Sequence, residues 1–493
     1  MKQLSLPKYI KPDSIILLFF CLAVIIAAIQ FVRDYLNYRE TADCVLVIVC
    51  ILFSLFLFIS VYRFPILSKN LSIFLVSLSL SLVIADFVAG RLLASADPRI
   101  NNARKEGINF DTRERLEVVR HFREQGENYF PTVPPHIFIP NHLKIEGKEV
   151  LPLSGIALTK TVGCNESGYY STFRSDELGF RNPEGVWRDP STIDLAFVGD
   201  SYTQGDCVNE GYHFVDHLRN STLHVVNLGA GGNGPLLELA SIKEYLNHRK
   251  VRYLFWIYYE GNDLKELNQE KKDSILIRYL NPNFNQDLLS ISQNINKELI
   301  RFVNNRMEIM LKNQPKILIN LRMLIYKFRE REANTDNPAE LDLTLFQQIL
   351  DIANTIVKQN NGNMVFVYLP SYAEFEPIQN LPRPYATKKQ DVLRLVSSLG
   401  IDIIDIEKAF QRSVDPLSFF PFRLSGHYNT AGYSVVAEEI RKYLIGKGVI
   451  ASVAWMKRSL RSAIQVLLAD MIACVRRGIL KPTFQAGRLI RMS

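Results

Sequence analysis

Cysteine and histidine are scarce: six and eight in 493 residues, and nowhere at the Cys–His spacings of a zinc site. No structural metal and no cofactor is expected. Positive charge is equally scarce where a nucleic acid would need it. The net charge is +8, but Lys457, Arg458, Arg461, Arg476, Arg477, Lys481, Arg488 and Arg491 stand against Asp470 alone after residue 450. That tail carries +7 and leaves the rest near +1, which speaks against a nucleic-acid partner. No internal repeat stands out.

Long apolar runs, by contrast, are present. Residues 14–32, 44–62 and 71–90 each approach the ~20 residues needed to cross a bilayer, and only the third carries a charge, Asp86. A cleaved signal peptide is disfavoured for the first, because a small-residue cleavage pattern is missing and two more runs follow. Lys2, Lys8 and Lys11 precede the first run, and Arg63 and Lys69 lie between the second and third without an acid. The positive-inside rule puts these in the cytoplasm and everything after residue 93 outside. Asp86 then falls near the outer headgroups. Cys21, Cys44 and Cys50 sit in or beside the spans and Cys474 in the tail, so Cys164 and Cys207 are the pair an oxidising compartment could bridge. The tail segment "SLRSAIQVLLADMIACV" spaces Leu460, Ile464, Leu467, Leu468, Met471 and Val475 as a helix. A basic amphipathic helix lying on anionic lipid is expected over residues 448–493, with docking on a protein partner as the alternative.

The outer portion begins with a linker and preamble, residues 94–190. "DTRERLEVVRHFREQG" predicts a helix capped by Asp111 or Thr112 and stopped by Gly126; "GCNESGYYSTFRSDELGFRNPEGVW" reads as short strands and loops. Then β-rich apolar runs recur at 193–199, 223–229, 253–261, 363–370 and 401–406, mostly separated by helical segments. This alternation predicts an α/β domain over 191–447, a three-layer sandwich around a parallel five-stranded sheet. Residues 264–340 are too long for a simple connection and read as a helical insertion: a lid, a partner surface or a membrane-facing element.

In such sheets ligands bind beyond the carboxyl ends of the strands, so the residues after each strand should share one cleft. They are Gly199-Asp200-Ser201, the glycine-rich run 229–234, Gly261-Asn262-Asp263, and His427 after the last strand. A serine hydroxyl attacks an ester only with a base to take its proton and donors for the oxyanion. Ser201 at a strand-to-helix turn, Gly232, Asn262 and His427 supply those needs. These blocks ("GDSYTQG", "NLGAGGNG", "EGND", "SGHYNTAGY") resemble the SGNH (GDSL) hydrolase superfamily over about residues 193–444. The preamble "SDELGFRNP" is similar to that of membrane-anchored bacterial members associated with surface-polysaccharide O-acylation. The resemblance implies an SGNH/flavodoxin-like fold, Ser201 as nucleophile, His427 as base, and Ser201, Gly232 and Asn262 as oxyanion hole.

The chain departs from the pattern twice: Glu260 replaces the usual glycine of the third block, and Leu424 stands where an aspartate precedes the histidine by three. Asp415 is then the first candidate for the triad acid and Asp405 the second; a dyad backed by a carbonyl is a third solution. Other residues have bland readings. Asp200 and Asp263 are expected to hold their turns, and Asn262 could itself be turn chemistry. Gly232 could serve packing alone, or its register could be off by one or two. His213 and His217 have metal spacing but no third ligand. Arg174 and Arg181 could meet an anionic sugar or form loop salt bridges, and Tyr259 or Glu260 could reach the cleft mouth.

The expectation is a multi-pass bacterial inner-membrane protein with three transmembrane helices (1–93) and its catalytic domain on the periplasmic side. It would be an ester hydrolase or O-acetyltransferase on an acylated glycan, with an acyl-donor membrane protein as partner in the transferase case. The alternative is a non-catalytic glycan-binding or assembly subunit of a polysaccharide export or modification complex.

Overall fold

The computed structural model describes residues 65–96, 98–188, 192–219, 223–247, 249–313, 342–376 and 389–450, with six positions between 15 and 22. The chain divides into two compact units, one holding the amino-terminal 97 residues and the other the chain from Pro98 onward, apart from residues 314–335. In the first, a helix runs from Pro65 to Ala96, and its Lys69–Gly90 portion has a mean hydropathy of 2.3. Ile73, Phe74, Val83, Ile84 and Phe87 are each more than half exposed on it. This is one helix long and apolar enough to cross a membrane. The predicted spans at 14–32 (apart from six helical positions) and 44–62, and the tail from 451, lie outside the described residues.

In the second unit the described strands are, in chain order, β1 (Tyr129–Pro131), β2 (Leu143–Ile145), β3 (Lys148–Val150), β4 (Lys160–Val162), β5 (Thr172–Arg174), β6 (Thr192–Val198), β7 (Val225–Asn227), β8 (Lys250–Tyr259), β9 (Asn363–Leu369) and β10 (Asp402–Asp405). The last five form one sheet in the order β10-β9-β8-β6-β7, with every pairing parallel. They coincide with the five apolar runs. These runs are continuous, not alternating, because both faces of the sheet are covered. Leu254, Trp256 and Tyr258 of β8 enter one core with the helices Pro235–Tyr245 and Leu343–Gln359. Tyr253, Phe255 and Ile257 enter the other with the helices Phe214–Leu218 and Thr430–Gly446.

The chain starts the sheet one strand in from its edge at β6, steps to the edge at β7, and returns past β6 to β8. Chain order therefore reverses between β6 and β8, the crevice where doubly wound sheets bind ligands. Ser201 follows β6, and Asn262 follows β8.

The segment before the sheet shares the first core through Phe130, Val133, Phe138, Leu153, Val162 and Phe180. Its strands β1, β4 and β5 form a small sheet of their own, and β2 and β3 a hairpin. The predicted helix there runs from Arg115 to Glu124. Glu114 caps it through a reciprocal box with Glu117, in place of Asp111 or Thr112. Asp111 lies outside the helix, where its carboxylate bonds Arg113 and its backbone bonds the 163–171 loop. Within the predicted insertion, the helix Ser292–Asn313 lays Ile295, Leu299, Val303 and Met307 into the first core. Residues 314–341 lie outside the described residues.

Candidate active site

Ser201 opens a one-turn helix, Ser201–Gln204, straight after β6. Asp200 caps that turn by accepting the Tyr202 N–H at 2.8 Å, as expected of a turn-holding aspartate. The Ser201 hydroxyl lies 2.8 Å from Nε2 of His427. The imidazole is placed by the start of the helix Thr430–Gly446, which Asn429 caps at both Ala431 and Gly432. It packs against the Tyr202 ring at 4.9 Å, and Tyr202 in turn stacks on Tyr259 at 4.1 Å.

The carboxylate behind His427 is Glu166. Its Oε1 lies 3.2 Å from Nδ1, and its Oε2 accepts the His427 backbone N–H at 2.6 Å. Both contacts fix the ring, with Nδ1 donating to Glu166 and Nε2 turned toward the serine hydroxyl. Gly426 makes room for this acid: a Cβ there would stand 2.4 Å from Glu166 Oε2. Burial opposes charge on His427, but the Glu166 hydrogen bond and charge, with Asp206 and Asp200, prevail and lift its pKa to about 9. Burial also opposes charge on Glu166; His427 and Arg99 outweigh it and hold this carboxyl below its ordinary range.

Asp415 and Asp405 are therefore corrected as acid candidates. Asp415 pairs with Arg423 on the surface, and Asp405 caps the helix Ile406–Gln411 and binds Lys389 at 3.0 Å. Both sit near His427 in sequence but not in space. Glu166 lies 261 residues away. One signal pointed to it: the acid stands two residues after Cys164, and Cys164 is joined to Cys207, six residues after Ser201. Cys207 Sγ lies 3.5 Å from His427 Nδ1. These three residues crowd together closely enough to suggest metal ligands, but the two sulfurs are bonded to each other and are not thiolates.

The glycine-rich loop follows β7. Gly231 N–H donates to Gln204 Oε1 at 2.8 Å, and Glu270 accepts from Gly234 and Leu236 at 2.7 and 2.8 Å. Gly232 has φ +70°, and a Cβ there would meet the His136 ring at 2.0 Å; only glycine fits. Among the described residues, the N–H groups of Ser201 and Gly232 have no protein acceptor. Asn262 lines a small cavity of about 240 Å3 with Gly232 and His136. Its amide donates to Glu266 at 2.8 Å and to Asp200 at 3.4 Å, while its Oδ1 is buried without a partner. Burial and the neighbouring acids Asp200 and Glu270 raise Glu266 well above its ordinary value, and burial raises Asp200 to about 6.

Several other residues are spent on the fold. His213 is fully buried at the N-cap position of the helix Phe214–Leu218, and its ring meets the Tyr202 carbonyl at 3.0 Å; His217 lies four residues on, beside Ser434. Arg181 is buried, donating to the Gly205 and Val208 carbonyls beneath the serine loop; Arg174 is exposed on β5. Glu260 is buried, accepting from Tyr368 and from the Ser371 N–H. Asp263 accepts the Tyr259 N–H at 2.9 Å and holds its turn.

No protein-family model and no curated protein matches the chain. Among solved structures it is similar to a lipolytic protein of the G-D-S-L family from Veillonella parvula. The identity is 12%, covering 51% of this chain and 97% of that one, with a TM-score of 0.27. It is also similar to Axe2, an acetylxylan esterase from Geobacillus stearothermophilus, at 15% identity over 51% and 93% of the two chains (TM-score 0.29). A third is LAE5, an alpha/beta hydrolase enzyme from the metagenome of Lake Arreo, at 16% identity over 53% and 97% (TM-score 0.28).

Proposed function

We propose that this protein is a membrane-anchored serine ester hydrolase or O-acyltransferase of SGNH type. Its substrate would be an acyl ester, in the first instance acetyl, on an extracytoplasmic glycan. The observation that carries the reading is the continuous chain Ser201 Oγ–His427 Nε2, His427 Nδ1–Glu166. Such a chain polarises a hydroxyl that is otherwise a poor nucleophile.

In the proposed reaction Ser201 Oγ bonds to the ester carbonyl carbon as its proton passes to His427 Nε2. Glu166 stabilises the imidazolium, and the Ser201 and Gly232 N–H groups receive the oxyanion. Asn262 joins them when its amide turns away from Glu266 and Asp200 toward the oxyanion. Collapse breaks the bond to the sugar oxygen, which takes the proton from His427 and leaves the acyl group on Ser201. Water, or a second sugar hydroxyl, then gives its proton to His427 and attacks the acyl carbon; the acyl–Oγ bond breaks, and Ser201 Oγ takes that proton back from His427.

Leu424, where an aspartate is expected, favours the non-catalytic alternative. Glu166 on the imidazole weighs against it. The test is labelling by a serine-reactive fluorophosphonate, with acetate release from acetylated xylan measured with and without an added sugar acceptor. Wild type should label and Ser201→Ala should not. Failure of wild type to label in a Ser201-dependent way would sink the enzyme reading.

A further inference from the structure

A cleft of about 800 Å3 opens on the Glu166 side of the triad, with Glu166 and Cys164 in its lining. Its volume falls within the ~300–1,000 Å3 usual for ligand sites. It lies one imidazole ring and two hydrogen bonds from the Ser201 hydroxyl. Pro131, Pro134, Phe138 and Phe302 give it apolar walls.

The charged groups of its lining are Arg99, Glu114, Arg115, Glu166 and Arg306. Three are already committed. Glu166 holds His427, Arg99 donates to the Ser425 carbonyl at 2.8 Å and lies 3.6 Å from Glu166, and Glu114 is spent in its capping box. Arg115 and Arg306 remain. Arg115 donates to the Thr132 hydroxyl at 2.8 Å, which steadies the guanidinium without cancelling its charge. Arg306 has its guanidinium 5.9 Å from the Phe302 ring centre. Among the described residues neither arginine is ion-paired with a carboxylate.

We infer that this cleft is a subsite for a carboxylate-bearing sugar, so that the ester presented to Ser201 belongs to an acylated uronic-acid glycan. The inference rests on the ester-processing reading for its acyl group, but not for its binding. A guanidinium matches a carboxylate with two parallel N–H donors, and the proline and phenylalanine walls suit the apolar face of a pyranose ring. A neutral glycan would leave both guanidinium charges without a counter-charge. A lipid tail would gain nothing from them.

Two measurements separate this inference from the reading beneath it. On full-length protein, kcat/KM for acetate release should be about tenfold higher on acetylated polygalacturonate than on acetylated xylan. Arg306→Gln, at an exposed position, and Arg115→Gln should each shrink that ratio severalfold, and the double variant should bring it near one. Separately, Ser201→Ala should bind unesterified oligogalacturonate in titration calorimetry more tightly than oligoxylose or dextran sulfate, and lose that preference with both arginines replaced. Turnover with equal ratios before and after the substitutions, or dextran sulfate binding as well as the uronide, overturns the subsite and leaves the esterase. Arginine-dependent uronide binding without turnover of any ester keeps the subsite and overturns the esterase.

Discussion

Two regions build the site by different means. The sheet region delivers Ser201 and His427 from the ends of regular elements, β6 and the capped helix Thr430–Gly446, and the core beneath them fixes both positions. Glu166 comes from the irregular 163–171 loop of the preceding region. That loop is tied down piecemeal: Asn165 donates to the Asp111 carbonyl at 2.7 Å, Gly168 donates to Asn165, and Cys164 is bonded to Cys207. Packing places the proposed nucleophile, Ser201, in the first region. Tethers place the acid in the second.

The sharpest break in that comparison is on the sheet side. Ser201→Ala should lower kcat on an acetyl ester by on the order of 10^5–10^6-fold, leaving only the rate supplied by binding and the oxyanion donors. A loss of tenfold or less, measured by acetate release, would place the nucleophile elsewhere.

Glu166→Gln tests the tethered side and should cost on the order of 10^3–10^4-fold in kcat, since the amide can present the wrong group to Nδ1. It also carries a pH signature. With Glu166 in place His427 holds its proton up to about pH 9, so kcat/KM of wild type should climb as pH rises toward that value and the imidazole becomes neutral. The substitution removes the charge that raises this pKa and leaves the burial that lowers it, so the limb should move to lower pH while its plateau falls. An unmoved limb would mean that another group holds the ring.

This division also explains what could be read from the residues. The five strands, the serine turn, the glycine loop and His427 are local patterns: an apolar run followed by a turn residue is visible within ten positions. Asp200, Asp263 and Gly232 were placed by the same logic. Glu166 has no local pattern, because a loop held by a disulfide and side-chain bonds shows no periodicity. Its surroundings give it meaning, and these come from Gly426, Cys207 and Asp111, far away in sequence. His136 over Gly232 and Glu270 beneath the glycine loop were unreadable for the same reason.

Cutting the covalent tether should have a smaller effect than removing the acid. Cys164→Ser frees one point of a loop whose Asn165 and Gly168 bonds remain, and a displacement near 1 Å costs about 10–100-fold. Thiol reductant applied to wild type should give the same loss, together with a limb moved part of the way toward that of Glu166→Gln. Full wild-type rate and limb after reduction, with both thiols confirmed by mass, would show that the hydrogen bonds alone position Glu166.

The smallest effect belongs to Asp415, the acid nearest the histidine loop in sequence. Its carboxylate and the Arg423 guanidinium are 41% and 63% exposed, and an exposed pair is worth only about 0–1 kcal/mol. Yet it is not idle. Phe422 and Arg423 both adopt positive φ, 53° and 56°, a conformation that costs a side-chain-bearing residue roughly 1 kcal/mol or more. The chain reverses there on its way to Gly426 and His427, and the Asp415 contact holds the second of those residues. Asp415→Asn should therefore lower the melting temperature by a degree or two, given roughly 2–4 °C per kcal/mol in a domain of this size. Its kcat should stay within about twofold, because Glu166 keeps both contacts to the ring, and its pH limb should stay at the wild-type position. A shift of that limb in Asp415→Asn, with Glu166 intact, would return Asp415 to the proton pathway and reverse the assignment of the two regions.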